Sequence, residues 1–411
     1  MLATIIPLTS LFTGVALLLL GSGLLGTLLG VRGSLEGFGD QVLGLVMSAY
    51  FLGFFLGTFL APPVIRRMGH IRAFSFYGTL FAATVLVHAM WVDPWAWGLL
   101  RMGTGIAIVG LYTVIESWMN ATVGGEQRGR VFAVYMVINL CALAIGQQLL
   151  RIAPVESFVL FSLVAILVCA AMMPVTATRL AQPELAPSAR IRVRELFGIA
   201  PAAAAGALFS GLTVGTFWGL GPVYAGRLGM GVDGVATFMT AAIVGGAVLQ
   251  WPIGRFSDSA DRRITLAGTC LGAAALAGAA MALGAHASLA LYAVFFLYGG
   301  LSFSAYPVAV AHLLDHVPQD RLLPALSTVL LLHGAGAALG PALAGFAMSQ
   351  FGARAFPGYL LLLHLAIGIY VVQRVLVRPR EAGAEGHFHP MLRTTPTAME
   401  LLPEADTPDE D

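Results

Sequence analysis

Polar side chains recur along one face of an apolar segment near the end of the first quarter of the chain. Arg101, Gly105, Ile108, Tyr112 and Glu116 are spaced three or four residues apart. At 100° per residue they stay within about 80° of one another on a helix. An arginine deep in hydrocarbon costs on the order of 2.5–3.5 kcal/mol, so it faces protein or water. This stripe predicts a helix that borders an aqueous cavity.

The stripe leaves the roles of its two charged residues open. Arg101 could contact an anionic solute or a coupling group, or it could bond to the carbonyls of neighbouring helices. Glu116 could pair with nearby arginines or carry a proton. His333, which precedes a Gly-Ala-Gly sequence in a later apolar segment, is a second candidate for proton coupling because imidazole titrates near neutral pH.

The other candidates for a cavity lining are polar or aromatic side chains inside apolar segments. Together with Arg101 and Tyr112 they are Asn139, Gln147, Trp218, Gln250, Tyr298 and Tyr306. This small set favours a small, apolar or amphipathic solute over a sugar, since a sugar site needs more placed hydrogen-bonding groups. If Arg101 reaches the solute, the solute is expected to be anionic.

The composition places these residues in a membrane protein. Of 411 residues, 58% are hydrophobic and 10% are charged, whereas soluble domains carry roughly 25% charged residues. Apolar runs long enough to cross the bilayer recur throughout, and backbone groups in lipid require helices. The fold class is therefore all-α and polytopic. The predicted transmembrane helices lie near 7–30, 43–65, 72–90, 95–118, 131–150, 155–175, 199–221, 234–254, 264–284, 288–312, 323–349 and 355–377.

The arginines predict the orientation and the organisation of the chain. Seventeen of the 22 basic residues, all arginine, fall on one side of the predicted membrane, four fall on the other, and Arg101 lies in a span. The positive-inside rule then puts both termini in the cytoplasm. We expect the membrane to be the bacterial inner membrane. The predicted units are a six-helix bundle at 1–175, a cytoplasmic linker at 176–198, a second six-helix bundle at 199–377 and a disordered acidic tail at 378–411.

Several functions are excluded or unsupported by the sequence. A nucleotide-binding loop of the form G-x-x-x-x-G-K-[S/T] needs a lysine, and the chain has none, so this chain alone cannot drive transport with ATP. Cys141, Cys169 and Cys270 lack metal or disulfide spacing, and His387 and His389 in the tail are weak evidence for metal. We expect no cofactor, no metal and no nucleic-acid partner, and a monomer in the lipid bilayer.

Two charged hairpins carry a resemblance to a known family. The second reads "GRFSDSADRRITL" from Gly254, and the first reads "LAPPVIRRMGHIRAFSF" from Leu60. Both resemble the G-x-x-x-D-R-x-G-R-R motif of the major facilitator superfamily. In the second hairpin Gly254, Asp258, Arg262 and Arg263 match, with Asp261 in place of a glycine.

The first hairpin departs from the motif, with Pro62 for the leading glycine and Arg66 for the aspartate, while Arg67, Gly69 and Arg72 fit. The segments "LRMGTG" and "GAALGPALAG" are also similar to the family, and "GLYTVIESWMN" with "RGRVFAVYM" resembles a bacterial subgroup of permeases of unassigned substrate. The resemblance covers about residues 1–377.

The resemblance implies a secondary transporter with two bundles, which moves a small solute by alternating access, with protons as a candidate coupling ion. It also implies a latch between the cytoplasmic ends of the bundles. The candidate latch residues are Arg66, Arg67, Gly69, Arg72, Glu116, Arg128, Asp258, Arg262 and Arg263. We expect Glu116 to supply the negative charge that Arg66 has replaced. The alternative is that Arg66 and Arg67 only bind lipid phosphates.

Two other classes of function stay open at this point. Asp315, His316 and Asp320 lie together in "HLLDHVPQDR", and such a cluster would suit a membrane enzyme acting on lipid or isoprenoid groups. A sensor that keeps the transporter fold without net flux is the third possibility. Flux into proteoliposomes, product formation, or neither would distinguish the three classes.

Overall fold

The computed structural model describes residues 2–123, 128–178, 183, 190–283, 288–318, 321–377 and 388. Within those ranges the chain is helical, with α1 Leu2–Leu35, α2 Asp40–Met68, α3 His70–Met90, α4 Pro94–Thr122, α5 Arg128–Gln148, α6 Val159–Ala177, α7 Val193–Ile199, α8 Pro201–Arg227, α9 Val232–Ser259, α10 Arg262–Leu283, α11 Ser288–Leu314, α12 Leu322–Phe351 and α13 Ala355–Val377. A single 3₁₀ turn, Leu149–Arg151, follows α5.

Twelve of the described helices are long and apolar enough to cross a membrane, as predicted. Helix α7 is the exception and lies in the predicted linker. It belongs with the second half, because Glu195 forms an ion pair with Arg321, and the Thr328 hydroxyl just beyond donates to the carbonyl of Ile191 at 3.0 Å. The predicted linker is therefore partly helical and attached to α12.

In the first half, two glycines let α2 and α4 pack backbone against backbone. A Cβ at Gly53 would lie 2.0 Å from the Met102 carbonyl oxygen, and a Cβ at Gly105 would lie 2.1 Å from the Tyr50 carbonyl oxygen. No side chain fits at either distance. This contact brings the residues of α4 before Gly105, including Arg101, beside Tyr50.

The second half repeats this contact between α9 and α11. A Cβ at Gly245 would lie 1.8 Å from the Phe296 carbonyl oxygen, and a Cβ at Gly299 would lie 2.1 Å from that of Ala242. Gly53 and Gly245, which are 192 residues apart, therefore occupy equivalent positions in the two halves. The glycines of the fourth span of each half, Gly105 and Gly299, are equivalent too. The second and fourth spans of the two halves therefore pack by the same kind of glycine contact.

The bundle has two ends, which we name by one residue each. The Asp40 face is the end that holds the start of α2 and of α9 and the end of α8 and of α12. The Arg262 face is the opposite end, which holds Arg66 and Arg67 at the end of α2, Asp258 near the end of α9, and the start of α10.

The two halves are joined near the Asp40 face by close backbone packing between α2 and α12. A Cβ at Gly44 would lie 2.5 Å from the Pro341 carbonyl oxygen, and a Cβ at Gly345 would lie 2.6 Å from that of Asp40. The Ser48 hydroxyl accepts a hydrogen bond from the Ala342 backbone N–H at 2.9 Å. Small residues let the two helices touch along this stretch, so the two halves are in direct contact at this end.

Polar groups strengthen the same contact. Asp40 Oδ1 accepts a hydrogen bond from Arg227 Nε at 2.9 Å and lies 2.8 Å from Arg227 Nη2 in the same ion pair. Between α5 and α9, the Arg151 guanidinium donates to the Asp233 carbonyl at 3.0 Å and to the Thr237 hydroxyl at 2.6 Å. Each pair joins the first half to the second, and all of them lie at the Asp40 face.

Candidate functional site

Arg101 lies near the start of α4. Its position is set by where the helix begins and by its contact with Tyr50 on α2. Asp93 caps α4 by accepting a hydrogen bond from the Ala96 N–H at 2.9 Å, which fixes where the helix begins. Arg101 follows the first helical residue, Pro94, by seven positions, or about 10 Å along the axis. The side chain is 5% exposed, and its Cζ lies 4.3 Å from the centroid of the Tyr50 ring.

A small pocket of about 20 Å³ that Arg101 lines lies between the two halves. The lining comes from α1, α2, α4, α5 and α8: Ser22, Gly23, Gly26, Thr27, Tyr50, Phe51, Arg101, Leu143 and Trp218. A volume of this size holds about one water molecule. A molecule larger than water does not fit in the pocket in this conformation.

Two of the predicted residues lie directly on this pocket and two more support its walls. Arg101 and Trp218 line it, one from each half. The indole of Trp218 stacks on Phe303 with ring planes 12° apart, and the Phe303 carbonyl accepts a hydrogen bond from Gln250 at 3.4 Å. Gln147 bonds to Thr27 on the other wall.

Seven lining residues were not predicted from the sequence, and four of them are polar or aromatic. Ser22 and Thr27 lie on α1, and Tyr50 and Phe51 lie on α2. The "GSGLLGT" and "SAYFLG" segments that hold them read as ordinary apolar helix. A weak signal was present, since hydroxyl groups and an aromatic pair beside glycines mark places where helices come close.

Glu116 and Tyr112 lie farther along α4 and belong to a separate polar cluster inside the first half. Glu116 is fully buried and accepts a hydrogen bond from the Tyr135 hydroxyl at 3.0 Å. Asn139 donates to the Tyr135 carbonyl at 2.6 Å, and the Tyr112 ring packs against Phe54. The predicted stripe thus reaches the pocket at Arg101, and its far end is packed within the bundle.

The tyrosine candidates of the second half lie in two further buried clusters. Tyr306 packs on His333 with ring centroids 4.4 Å apart. Tyr298 contacts the His364 ring edge-on at 5.4 Å, and Ser302 bonds to His364 at 3.2 Å. None of these residues is among the lining of the Arg101 pocket, so the second half contributes Trp218 to it.

The second charged hairpin is an ordered cluster at the Arg262 face. Arg262 bonds to Asp258 at 3.1 Å and to Asp315 at 2.6 Å. Arg263 bonds to Asp261 at 2.8 Å. Burial raises the pKa of Asp261, but the hydrogen bonds and charge of Arg263 outweigh it and hold the pKa below its ordinary value. Asp315, one of the residues considered for enzyme chemistry, is a partner of Arg262.

The first charged hairpin is arranged differently. Arg66, Arg67 and Arg72 are exposed, and Gly69 joins α2 to α3 with a φ of +81°, which favours glycine. Arg128 begins α5 and is partly buried. Pairing of Arg66 with Glu116 stays a prediction.

Asp320, His387 and His389 lie outside the described residues.

The comparisons with known proteins agree with this arrangement. A profile of the major facilitator superfamily matches residues 203–397. A protein of Escherichia fergusonii described as the uncharacterized MFS-type transporter YcaD is 28% identical over 351 residues, covering 84% of this chain and 90% of the relative. A protein of Enterobacter sp. strain 638, also described as an uncharacterized MFS-type transporter, is 28% identical over 357 residues with the same coverage. Over these residues the chain is similar to the major facilitator superfamily.

Solved structures of superfamily-like transporters share the fold. The nucleoside transporter NupG aligns with a TM-score of 0.72 at 15% identity, over 90% of this chain and 98% of that chain. A bacterial homolog of the human lysosomal transporter Spinster, in an inward-facing and occupied conformation, aligns with a TM-score of 0.71 at 15% identity, over 90% and 94%. The similar proteins are described as transporters, and the chain shares with these structures a fold of twelve helices that are long and apolar enough to span a membrane.

Proposed function

We propose that this transporter carries a small solute by alternating access and binds it between the halves beside Arg101 and Trp218. The observation that carries the proposal is the position of this pocket. It is formed by both halves and lies directly inside the closure made by Gly44, Gly345 and Ser48. A binding site that is sealed on one side by contacts between repeats is the arrangement that alternating access requires.

The proposed orientation puts the Arg262 face and both termini in the cytoplasm. The bias of arginine to that side supports it. The closed Asp40 face is then periplasmic, and the described conformation faces the cytoplasm. The fold similarity to the Spinster homolog, whose solved structure is described as inward-facing, agrees with this assignment.

The chemistry around the pocket supports an amphipathic and anionic solute. Arg101 provides a positive charge, Tyr50 and Trp218 provide aromatic faces, and Ser22 and Thr27 provide hydroxyl groups. An anion with an apolar body would satisfy all three kinds of group. Glu116 and His333 are the proposed proton-coupling residues, because each is an ionisable side chain packed with a tyrosine inside a bundle.

The proposed latch acts at the Arg262 face when the transporter faces the periplasm. Asp258, Arg262 and Arg263 form its second-half part, supported by the ion pairs that already order them. Arg66, Arg67, Gly69, Arg72, Glu116 and Arg128 form its first-half part. Exposed arginines at this face are then available for pairing when the halves close here.

A thermal-shift screen of the purified protein against organic anions tests the proposal. A ligand present at one hundred times its Kd stabilises the folded state by about 2.7 kcal/mol. Arg101→Met and Trp218→Ala should remove the shift. Trp95→Ala is the matched control, because Trp95 is 81% exposed at the start of the same helix as Arg101 and should keep it. A hit that stabilises all four proteins equally contradicts the proposed site. Nucleosides belong in the panel because NupG is described as a nucleoside transporter.

A further inference from the structure

Two buried hydroxyl groups in the second half have no hydrogen-bond partner among the described residues. They belong to Ser210 on α8 and Tyr306 on α11, and each residue is 4% exposed. By contrast, the buried hydroxyl of Ser304, two residues from Tyr306, donates to the Gly300 carbonyl at 2.6 Å. An unpaired buried polar group destabilises a protein, so a fold that keeps two of them together has a use for them.

The packing of α8 against α11 brings these two hydroxyl groups to one level. The helices run in opposite directions, and a Cβ at Gly206 would lie 3.1 Å from the Ala309 Cβ. Ser210 follows Gly206 by about one turn on α8, and Tyr306 lies about one turn before Ala309 on α11. Residues three or four apart share a helix face. The two side chains therefore lie at the same level on the facing surfaces of the two helices.

His333 of α12 lies beside the same two residues. The centroids of the His333 and Tyr306 rings are 4.4 Å apart. The His333 carbonyl packs against the backbone of α8 at Gly211, the neighbour of Ser210, where a Cβ would have no room. Three helices thus bring together two hydroxyl groups and an imidazole, all of which donate and accept hydrogen bonds. A neutral group that also donates and accepts, such as a hydroxyl, matches them.

An aromatic surface joins these residues to the Arg101 pocket. Trp218, which lines the pocket, is eight residues beyond Ser210 on α8, or about 12 Å along the axis. Its indole stacks on Phe303 with ring planes 12° apart. Phe303 is three residues before Tyr306, on the same face of α11. From the pocket toward the Arg262 face, a positive charge, an apolar aromatic surface and a hydroxyl pair therefore follow one another.

We propose that Ser210, Tyr306 and His333 form a second subsite, which binds a hydroxyl group at the far end of the solute. The inference rests on the proposed function and narrows its solute class to an anion that carries a hydroxyl group about 12 Å from its charge. Arg101 binds the anionic end and Phe303 contacts the apolar body. The subsite rejects a solute without the hydroxyl group, because its own buried hydroxyl groups then stay unpaired.

Binding of two matched probes tests the subsite. Dodecanoate and ω-hydroxydodecanoate share a carboxylate and an apolar chain and differ by one terminal hydroxyl group. Calorimetric titration of the full chain in nanodiscs, corrected with protein-free nanodiscs, should show about 5- to 150-fold tighter binding of the hydroxylated probe. Tyr306→Phe and Ser210→Ala should each lower this ratio about fivefold or more. Ser304→Ala is the control and should keep the ratio, because the Ser304 hydroxyl is bonded within its own helix.

The same titrations separate failure of the subsite from failure of the proposed function. Equal affinity for the two probes, a ratio unchanged in Tyr306→Phe, or no binding of either probe overturns the subsite. If Arg101→Met abolishes binding while Tyr306→Phe leaves the ratio intact, the Arg101 pocket stands and the subsite falls. If Arg101→Met leaves the affinity for both probes unchanged, the proposed function fails and the subsite fails with it.

Thermal unfolding gives a second test, which needs no solute. Tyr306→Phe removes a hydroxyl group without a protein partner, so the unfolding midpoint should stay the same or rise by about 1–4 °C. Tyr135→Phe removes a hydroxyl group that donates to Glu116 at 3.0 Å, so it should lower the midpoint. A midpoint that falls as far in Tyr306→Phe as in Tyr135→Phe would show that the Tyr306 hydroxyl is already paired, and would overturn the subsite.

Discussion

Arg101 and Tyr50 form a cation–π pair across the contact between α4 and α2, with Cζ 4.3 Å from the ring centroid. The pair exists because Gly53 and Gly105 let the two backbones touch just below it. At the equivalent position of the second half, four residues before Gly299, the chain has Phe295. The repeats share the glycine contact, and only the first half has a charge there. The pocket is therefore asymmetric and takes its charge from one half.

Changing Tyr50 tests the role of this pair in solute binding. Tyr50→Leu should raise KM about 2- to 30-fold, because cation–π contacts are worth about 0.5–2 kcal/mol. Tyr50→Phe keeps the ring face and should retain KM within about twofold. Concentration-dependent uptake into proteoliposomes measures both. A Tyr50→Phe variant as impaired as Tyr50→Leu would show that the ring face is not what matters.

The glycine contact that positions Arg101 can be tested by stability. Gly105→Ala places a Cβ 2.1 Å from the Tyr50 carbonyl oxygen, and overpacking of this kind costs about 1–3 kcal/mol. Gly98→Ala, on the same helix with no atom within 4 Å of its Cβ, should be neutral or stabilising by up to about 1 kcal/mol. Thermal unfolding in one detergent compares the two. Equal destabilisation would contradict the packing of α2 on α4.

Closure at the Asp40 face depends on Gly345. Gly345→Ala places a Cβ 2.8 Å from the Gly44 Cα, so the two helices should separate and expose the pocket. A cysteine at Ser22 should then react faster with a membrane-impermeant maleimide added from the Asp40 side. Gly358→Ala is the control, because its closest contact is an ordinary 3.4 Å to Met281 Sδ. Unchanged reactivity of the Ser22 cysteine in Gly345→Ala would show that the contact at Gly345 does not close the Asp40 face.

The ion pair between Arg262 and Asp315 should stabilise the second half. Their side chains are 7% and 14% exposed, and Asp315→Asn should cost about 1–3 kcal/mol because it removes a charged partner from a buried guanidinium. Glu36→Gln removes the more exposed partner of Arg32 and should cost about 0.5 kcal/mol or less. Denaturation midpoints in matched detergent give the comparison, and equal costs would refute the buried pairing.

The latch predicts a specific relation between Arg66 and Glu116. Arg66→Glu should lower uptake about fivefold, because an ion pair of about 1 kcal/mol shifts a two-state population by that factor. Glu116→Gln should lower it similarly, and adding Arg66→Glu to Glu116→Gln should have little further effect. If Arg66 only anchors the fold to lipid, Arg67→Glu would match Arg66→Glu, and the effects of Glu116→Gln and Arg66→Glu would add.

The sequence predicted the twelve spans and two of the pocket residues for clear physical reasons. Span lengths follow from the thickness of the bilayer, and a charged Arg101 in an apolar helix must face protein or water. The sequence does not identify Tyr50 and Thr27 as pocket residues. They line the pocket because of where α1, α2 and α4 contact one another, and the pattern within one helix does not determine those contacts. The same applies to the contact of Phe388 with α9, because it depends on the missing side chain of Gly254.

Uptake into proteoliposomes by three variants tests the central claim most directly. The solute identified by thermal shift is offered to vesicles that contain the parent protein, Arg101→Met, or Trp95→Ala. We predict uptake by the parent protein and by Trp95→Ala, and background uptake by Arg101→Met at equal reconstitution. Equal uptake by all three proteins would contradict a solute site beside Arg101. If the solute binds at Arg101 but the parent protein does not take it up, the claim that the protein transports this solute is contradicted.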